Sequence, residues 1–146
     1  MPKRIIGNII AGRALYSASP ETTVRMACRA MAENRIGALL VLDKGKIVGI
    51  FTERDALNKV LAAGIDPDAT PLSQVMAGNP QTIRAGKPLA YALHMMAEGG
   101  FRHVPVVDDD GVPIGMVSAR DALGQDMVDL ERDRRRLEEL ESSIGY

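Results

Sequence analysis

A chain of 146 residues with 46% hydrophobic and 25% charged residues is long enough to bury one substantial core. Its net charge of −1 gives nucleic acid or an anionic membrane no electrostatic footing, and aromatics at 3% leave few platforms for stacking unpaired bases. A single cysteine, Cys28, excludes an internal disulfide, and an oxidising compartment is neither required nor suggested.

In chain order, residues 1–14 are a lead-in, with Lys3 and Arg4 before Ile5-Ile6-Gly7-Asn8-Ile9-Ile10. That apolar run is too short and interrupted for a membrane span and makes a poor signal peptide, so the expected address is the cytoplasm. A first unit is expected over residues 15–64. It opens with a short strand at Leu15 to Ala18, and Ser19-Pro20-Glu21 supplies a helix start signal. Val24, Ala27, Cys28 and Met31 then form one apolar helical stripe. The run Ala38-Leu39-Leu40-Val41-Leu42 reads as a strand buried on both faces. Asp43-Lys44-Gly45-Lys46 turns it back into a strand from Ile47 to Phe51. A second helix is expected from Glu53 to Ala63, stopping near Gly64.

Residues 65–79, with Asp66-Pro67-Asp68 and Thr70-Pro71, read as a linker holding one short helix at Leu72 to Met76. A second unit, residues 80–125, repeats the order. A strand at Gln81 to Arg84 leads to a helix striped by Leu89, Ala92, Leu93 and Met96. The strand Val104-Pro105-Val106-Val107 then turns at Asp108-Asp109-Asp110-Gly111 into Ile114 to Val117, and a last helix starts near Ala119. Residues 126–146 form a charged helix in which Leu130, Leu137 and Ile144 fall seven apart, with Asp133 spoiling the other heptad position. It reads either as a solvated helix or as one that docks on a twofold mate.

The two units share sequence as well as order. Met31-Ala32-Glu33 returns as Met96-Ala97-Glu98, 65 positions on; Gly49 to Leu57 returns as Gly115 to Leu123, 66 positions on. One supersecondary unit is therefore used twice, and neither copy buries its apolar face alone. The expected fold is mixed α/β (α+β), two β-α-β-β-α units about a pseudo-twofold axis, with equivalent clefts beside it. Within the repeat Cys28 aligns with Leu93, which marks it as a core filler.

The chemistry sits in Thr52-Glu53-Arg54-Asp55 and Ser118-Ala119-Arg120-Asp121. A hydroxyl followed three residues later by an acid at a helix start resembles a capping box. The same groups also suit a nucleotide. The helix start offers free amides to a phosphate, the Asp accepts from two ribose hydroxyls, and the Arg adds a charge-assisted phosphate contact. Recurrence in both units favours nucleotide binding. No His, Cys or carboxylate cluster has metal-ligand spacing, and Asp108-Asp109-Asp110-Gly111 lacks the downstream acids of a calcium loop. No nucleophile, base and metal set is present in the pattern, so no catalytic residue is assigned and no enzyme activity is expected.

This repeat, with its buried strand ending in Val-Asp and its Gly-h-h-Thr/Ser-x-x-Asp segment, resembles a tandem pair of cystathionine-β-synthase (CBS) domains, the Bateman module, over about Leu15 to Leu123. The nearest likeness is to stand-alone bacterial CBS pairs. The resemblance implies a regulatory module that binds an adenine nucleotide, AMP first and NAD or ATP next, in clefts between the units. It implies that each Asp works with strands of the other copy. Site 1 would combine Thr52, Arg54 and Asp55 with Thr82, Ile83, Arg102, His103, Val104 and Pro105. Site 2 would combine Ser118, Arg120 and Asp121 with Ser17, Ala18, Gly37, Ala38 and Leu39. Because Arg102-His103 aligns with Gly37-Ala38, one cleft alone, that of Thr52, is expected to gain two basic groups and to favour the longer phosphate chain. His103 could equally be a partly buried structural histidine, and His94 is expected to be exposed. The partners implied are a small-molecule nucleotide, a homodimer mate and an unidentified effector protein, with no nucleic acid, membrane or metal. The alternative is a CBS-pair interaction module without a functional ligand site.

Overall fold

A computed structural model describes residues 4–144, with side chains throughout that stretch except at 125–129, 131 and 144. Lys3, the Asp126 and Ile144 side chains and the last two residues of the tail lie outside the described set.

Two sheets carry the fold. In the first, β1 (Ser17–Ala18) runs parallel to β2 (Ala38–Asp43), which pairs antiparallel with β3 (Lys46–Thr52); β3 in turn pairs with β4 (Ala77–Gly78). In the second, β5 (Ile83–Arg84) runs parallel to β6 (His103–Val107), which pairs antiparallel with β7 (Pro113–Ser118). The registers repeat position for position. Ala18 faces Val41 as Ile83 faces Val106, and Ala38 faces Thr52 as His103 faces Ser118. Even the irregularity recurs, after Val41 in one hairpin and after Val106 in the other.

Both turns follow from local chemistry. Lys44 and Gly45 have φ of 52° and 79°, the pair of left-handed residues that a two-residue I′ turn requires. The longer second turn is organised by Asp108, whose Oδ1 accepts from the Asp110 and Val112 amides at 2.9 Å each.

One amphipathic helix packs on each sheet. Helix α2 (Val24–Asn34) buries Val24, Ala27 and Met31. It starts later than Ser19-Pro20-Glu21 suggests, because the Pro20 and Thr22 carbonyls accept from the Ser73 and Leu72 amides; Thr23 is the cap, accepting from the Met26 amide at 3.3 Å. Cys28 is half-buried against this core, and burial pushes its thiol up despite nearby Arg25, which favours the protonated form. Helix α3 begins at Glu53–Asp55 and continues over Ala56–Leu61 as a π segment, with the Ala62 amide donating to the Leu57 carbonyl at 2.8 Å. Helix α4 (Leu89–Gly99) buries Leu89, Ala92 and Met96 against the second sheet.

The segments read as lead-in and linker carry a second layer of symmetry. A short helix, α1 (Ile6–Ile10), and a 3₁₀ turn at Leu72–Gln74 occupy equivalent places, 66 positions apart, each in the core of the neighbouring repeat. Ile6 packs with Ile83, Leu89, Val104 and Val117, while Leu72 packs with Val24, Leu39 and Phe51. The backbone contacts match too. The Ile6 amide donates to the Lys87 carbonyl as that of Leu72 does to Thr22, and the Leu89 amide to Arg4 as that of Val24 does to Thr70. Each repeat thus opens by completing the other's core.

A 3₁₀ turn at Ala119–Leu123 follows β7 and runs into α5 (Gly124–Ile144). Leu130, Leu137 and Leu140 are exposed on it, and Arg134 meets Glu138 at 3.7 Å. Among the described residues, no helix is long and apolar enough to cross a membrane.

Candidate functional site

Strand ends and helix starts meet at two equivalent places. The Glu53 amide donates to the Gly37 carbonyl at 2.9 Å, and the Ala119 amide donates to the Arg102 carbonyl at the same distance. Each contact ties the start of one repeat's last helix to the entry of its first long strand. Two open clefts flank this junction, of about 740 Å³ beside Thr52 and about 660 Å³ beside Ser118. Both have the size of a small-molecule site.

Thr52, Arg54 and Asp55 of the first repeat line the Thr52 cleft together with Arg102 and His103 of the second. Thr52 and Asp55 form a full capping box. The Asp55 amide donates to Thr52 Oγ1 at 3.2 Å, and Asp55 Oδ2 accepts from the Thr52 amide at 3.0 Å. Its second oxygen lies 3.2 Å from Lys59 Nζ. Thr82 does not line this cleft, nor do Ile83 and Val104, which belong to the second core, nor Pro105, which is fully buried. Gln81, Leu57 and Phe101 line it instead.

The Ser118 cleft brings Ser118 and Arg120 of the second repeat together with Gly37 and Ala38 of the first. Ser17 and Ala18 lie off its wall, and Leu39 is buried beneath it. Asp121 is set just behind the wall, 8% exposed, with Oδ2 accepting from the Ser118 amide at 2.8 Å. A residue of the lead-in closes over it: Arg13 donates through Nη2 to Oδ1 at 2.7 Å and through Nη1 to Oδ2 at 3.2 Å. Arg4 adds a bond from Nη1 to the Asp121 carbonyl at 2.6 Å. Burial alone would push the Asp121 carboxyl up, but the Arg13 and Ser118 hydrogen bonds and the charges of Arg13 and Arg4 outweigh it and hold it below the ordinary 3.8.

Arg102 and His103 differ from the sequence expectation. They stand between the clefts and line both, so the basic pair is not confined to one. Glu53 also lines both, and Tyr16 and Arg35 line the Ser118 cleft. At the junction an added Cβ on Gly37 would lie 3.1 Å from Glu53 Oε1, so a larger residue there would push the Glu53 carboxylate aside by a few tenths of an ångström. His94 is exposed on α4, 3.3 Å from Glu98. Among the described residues no group of three metal-ligating side chains converges.

Burial pushes the His103 imidazole below its ordinary 6.5; Arg102 acts the same way, and Glu53 and Asp121 oppose it without prevailing. The folded state therefore keeps His103 neutral where the unfolded chain has already taken up a proton. Stability from this group is intact above pH 6.5 and declines as pH falls below it. Urea unfolding at about pH 7.5 and about pH 5.5 should show a stability loss that His103→Gln reduces. An equal loss in parent and variant would assign the effect elsewhere.

The geometry is that of a repeated pair, and the comparisons agree. The CBS domain profile matches residues 6–62 and 72–126. The chain belongs to the CBS domain family. Among solved CBS proteins, one from Burkholderia ambifaria superposes with a TM-score of 0.79 at 32% identity, covering 86% of this chain and 95% of that one. A CBS domain protein from Pyrobaculum aerophilum complexed with AMP gives 0.74 at 27% identity, over 80% of this chain and 88% of that one. The CBS pair of protein MJ0100, in complex with 5′-methylthioadenosine and S-adenosyl-L-methionine, gives 0.72 at 25%, covering 81% and 95%. The meiotically up-regulated gene 70 protein of Schizosaccharomyces pombe is 41% identical over 97 residues, 66% of this chain. This CBS pair spans only 13% of that protein and 18% of a CBS domain-containing protein from Arabidopsis thaliana.

Proposed function

We propose that this CBS pair is a regulatory, non-catalytic module that binds adenine nucleotides in its two clefts and shifts conformation or assembly in response. AMP is the favoured ligand, with NAD or ATP next. The observation that carries the reading is the repeated hydroxyl-x-Arg-Asp helix start, which faces strand-entry residues of the opposite repeat across a cleft in both copies. The AMP complex of the Pyrobaculum relative supports an adenosine ligand. Asp55 and Asp121 would accept from ribose hydroxyls, while Thr52, Ser118, Arg54 and Arg120 would meet phosphate. Thr82, Ile83, Val104, Pro105, Ser17, Ala18 and Leu39 act, in this reading, through the backbone and packing that shape the adenine slot.

A ligand held by both repeats favours the arrangement that presents both walls. At a hundredfold excess over Kd it would stabilise that state by about 2.7 kcal/mol, which is the free energy available to an output. The output would pass to a homodimer mate or an effector protein in the cytoplasm. A second reading, an interaction module with vestigial clefts, draws on the exposed Leu57, Leu61, Leu130 and Leu137.

Calorimetric titration of refolded, nucleotide-stripped protein with AMP, ATP and NAD separates the two. The expected result is saturable binding at one or two sites per chain. Flat titrations with all three would favour the interaction module.

A further inference from the structure

The two clefts share a scaffold but not a charge. The Thr52 cleft sets Arg54 and Arg102 against Glu53 and Asp55, a formal balance. The wall of the Ser118 cleft carries Arg13, Arg35, Arg102 and Arg120 against Glu53 alone. Among the described residues, Arg35, Arg102 and Arg120 form no ion pair, so three unpaired guanidinium groups line this cleft beside a single lining acid, Glu53. Arg13 is committed to Asp121, yet that contact places its guanidinium at the cleft edge.

Arg35 is the telling member. It ends α2 in the left-handed conformation, with φ 54° and ψ 43°, donating its amide to the Ala32 carbonyl. The equivalent place in the second repeat, after α4, is held by Gly100 at φ 72°. Glycine adopts this conformation without strain, whereas a residue with a Cβ does so at a cost. The first repeat therefore carries a strained arginine where its twin carries the unstrained residue, and that arginine lines a cleft. Strain held at a cavity wall is the kind of feature that function retains.

We propose that the Ser118 cleft selects a ligand with two or more linked phosphates, and that Arg35 is a residue that sets this selectivity. The proposal rests on the adenine-nucleotide reading only for the rest of the ligand; the phosphate chain is recognised by the arginines themselves. It also reverses the sequence expectation that the longer chain belongs beside Thr52. Each guanidinium offers paired donors to phosphate oxygens, and one added charge-assisted contact per phosphate accumulates along a chain.

The test is calorimetry on the full chain with AMP, ATP and inorganic tripolyphosphate, in the parent and in Arg35→Gly and Arg35→Lys. ATP should bind one site per chain about tenfold more tightly than AMP, and Arg35→Gly should remove most of that advantage. Arg35→Lys, which keeps the charge, should retain part of it. Arg35→Gly should also melt at a higher temperature than the parent, so weaker binding would not reflect a damaged fold. Equal affinity for AMP and ATP in the parent overturns the proposal, as does an ATP advantage that survives in Arg35→Gly. Arg35-dependent binding of tripolyphosphate, with neither nucleotide bound, would sustain it while removing the adenine reading. Absence of binding by all three would overturn both.

Discussion

Alanine at Ile6 should destabilise the protein by about 2–5 kcal/mol, as large a loss as in the middle of a sheet. Ile6 is 0% exposed, although it lies only six residues from the start of the sequence. Its side chain belongs to the second core, with Leu89 of α4 and the strand residues Val104 and Val117. Leu72→Ala should cost a similar amount, because Leu72 performs the same task in the first core. Leu61→Ala, at a position 76% exposed, should stay within about 0.5 kcal/mol of the parent. Urea midpoints at constant m-value provide the measurement. An Ile6→Ala variant as stable as Leu61→Ala would mean that α1 does not hold the second repeat together in solution.

The second large effect is expected at Asp121. Asp121→Ala removes the acceptor of the Ser118 amide and frees Arg13, and should cost about 1.5–3 kcal/mol, the range for hydrogen bonds to a charged group. Its contribution is fully present above pH 3.8 and is lost as pH falls through the lower folded value, so the variant should lack that part of the acid limb. Asp55→Ala loses a helix cap and a contact to the half-exposed Lys59, and should cost about 0.5–2 kcal/mol. Each variant should also lose nucleotide binding in its own cleft while remaining folded. If both bind AMP as the parent does, the ribose assignment fails; if either fails to fold, capping is its main task. In the Ser118 cleft Arg13 already donates to both Asp121 oxygens, so a ribose bound there would share that carboxylate with a residue of the lead-in. Ligand entry there is thereby coupled to the lead-in, and through α1 to the second core.

Much of this architecture was legible in one dimension. The stripes at Val24, Ala27 and Met31 and at Leu89, Ala92 and Met96 are the faces that α2 and α4 bury. The Lys44-Gly45 turn and the Thr52–Asp55 capping box form where their residue types require. The cleft walls were harder to read. Val104 and Leu39 belong to the right strands, but alternation along a strand sends neighbouring side chains to opposite faces, and these two point into the cores. Arg35 carried a readable signal, since it stands where the aligned repeat has Gly100. Arg13 carried none, because a lone arginine in a lead-in has no periodicity to betray its partner.

The repeated unit, its element order and the paired hydroxyl-x-Arg-Asp helix starts are set by the amino-acid sequence alone, because they depend on spacing, turn chemistry and capping within a few residues. Long-range packing, by contrast, puts Ile6 in the second core and Leu72 in the first, so that each short segment completes the core of the other copy. Ile6-Gly7-Asn8-Ile9-Ile10 and Leu72-Ser73-Gln74-Val75-Met76 share only an apolar spacing, so no identity reveals them as equivalent. Their equivalence lies in hydrogen bonds to Lys87 and Thr22, and contacts between distant segments exist only once both sheets have formed.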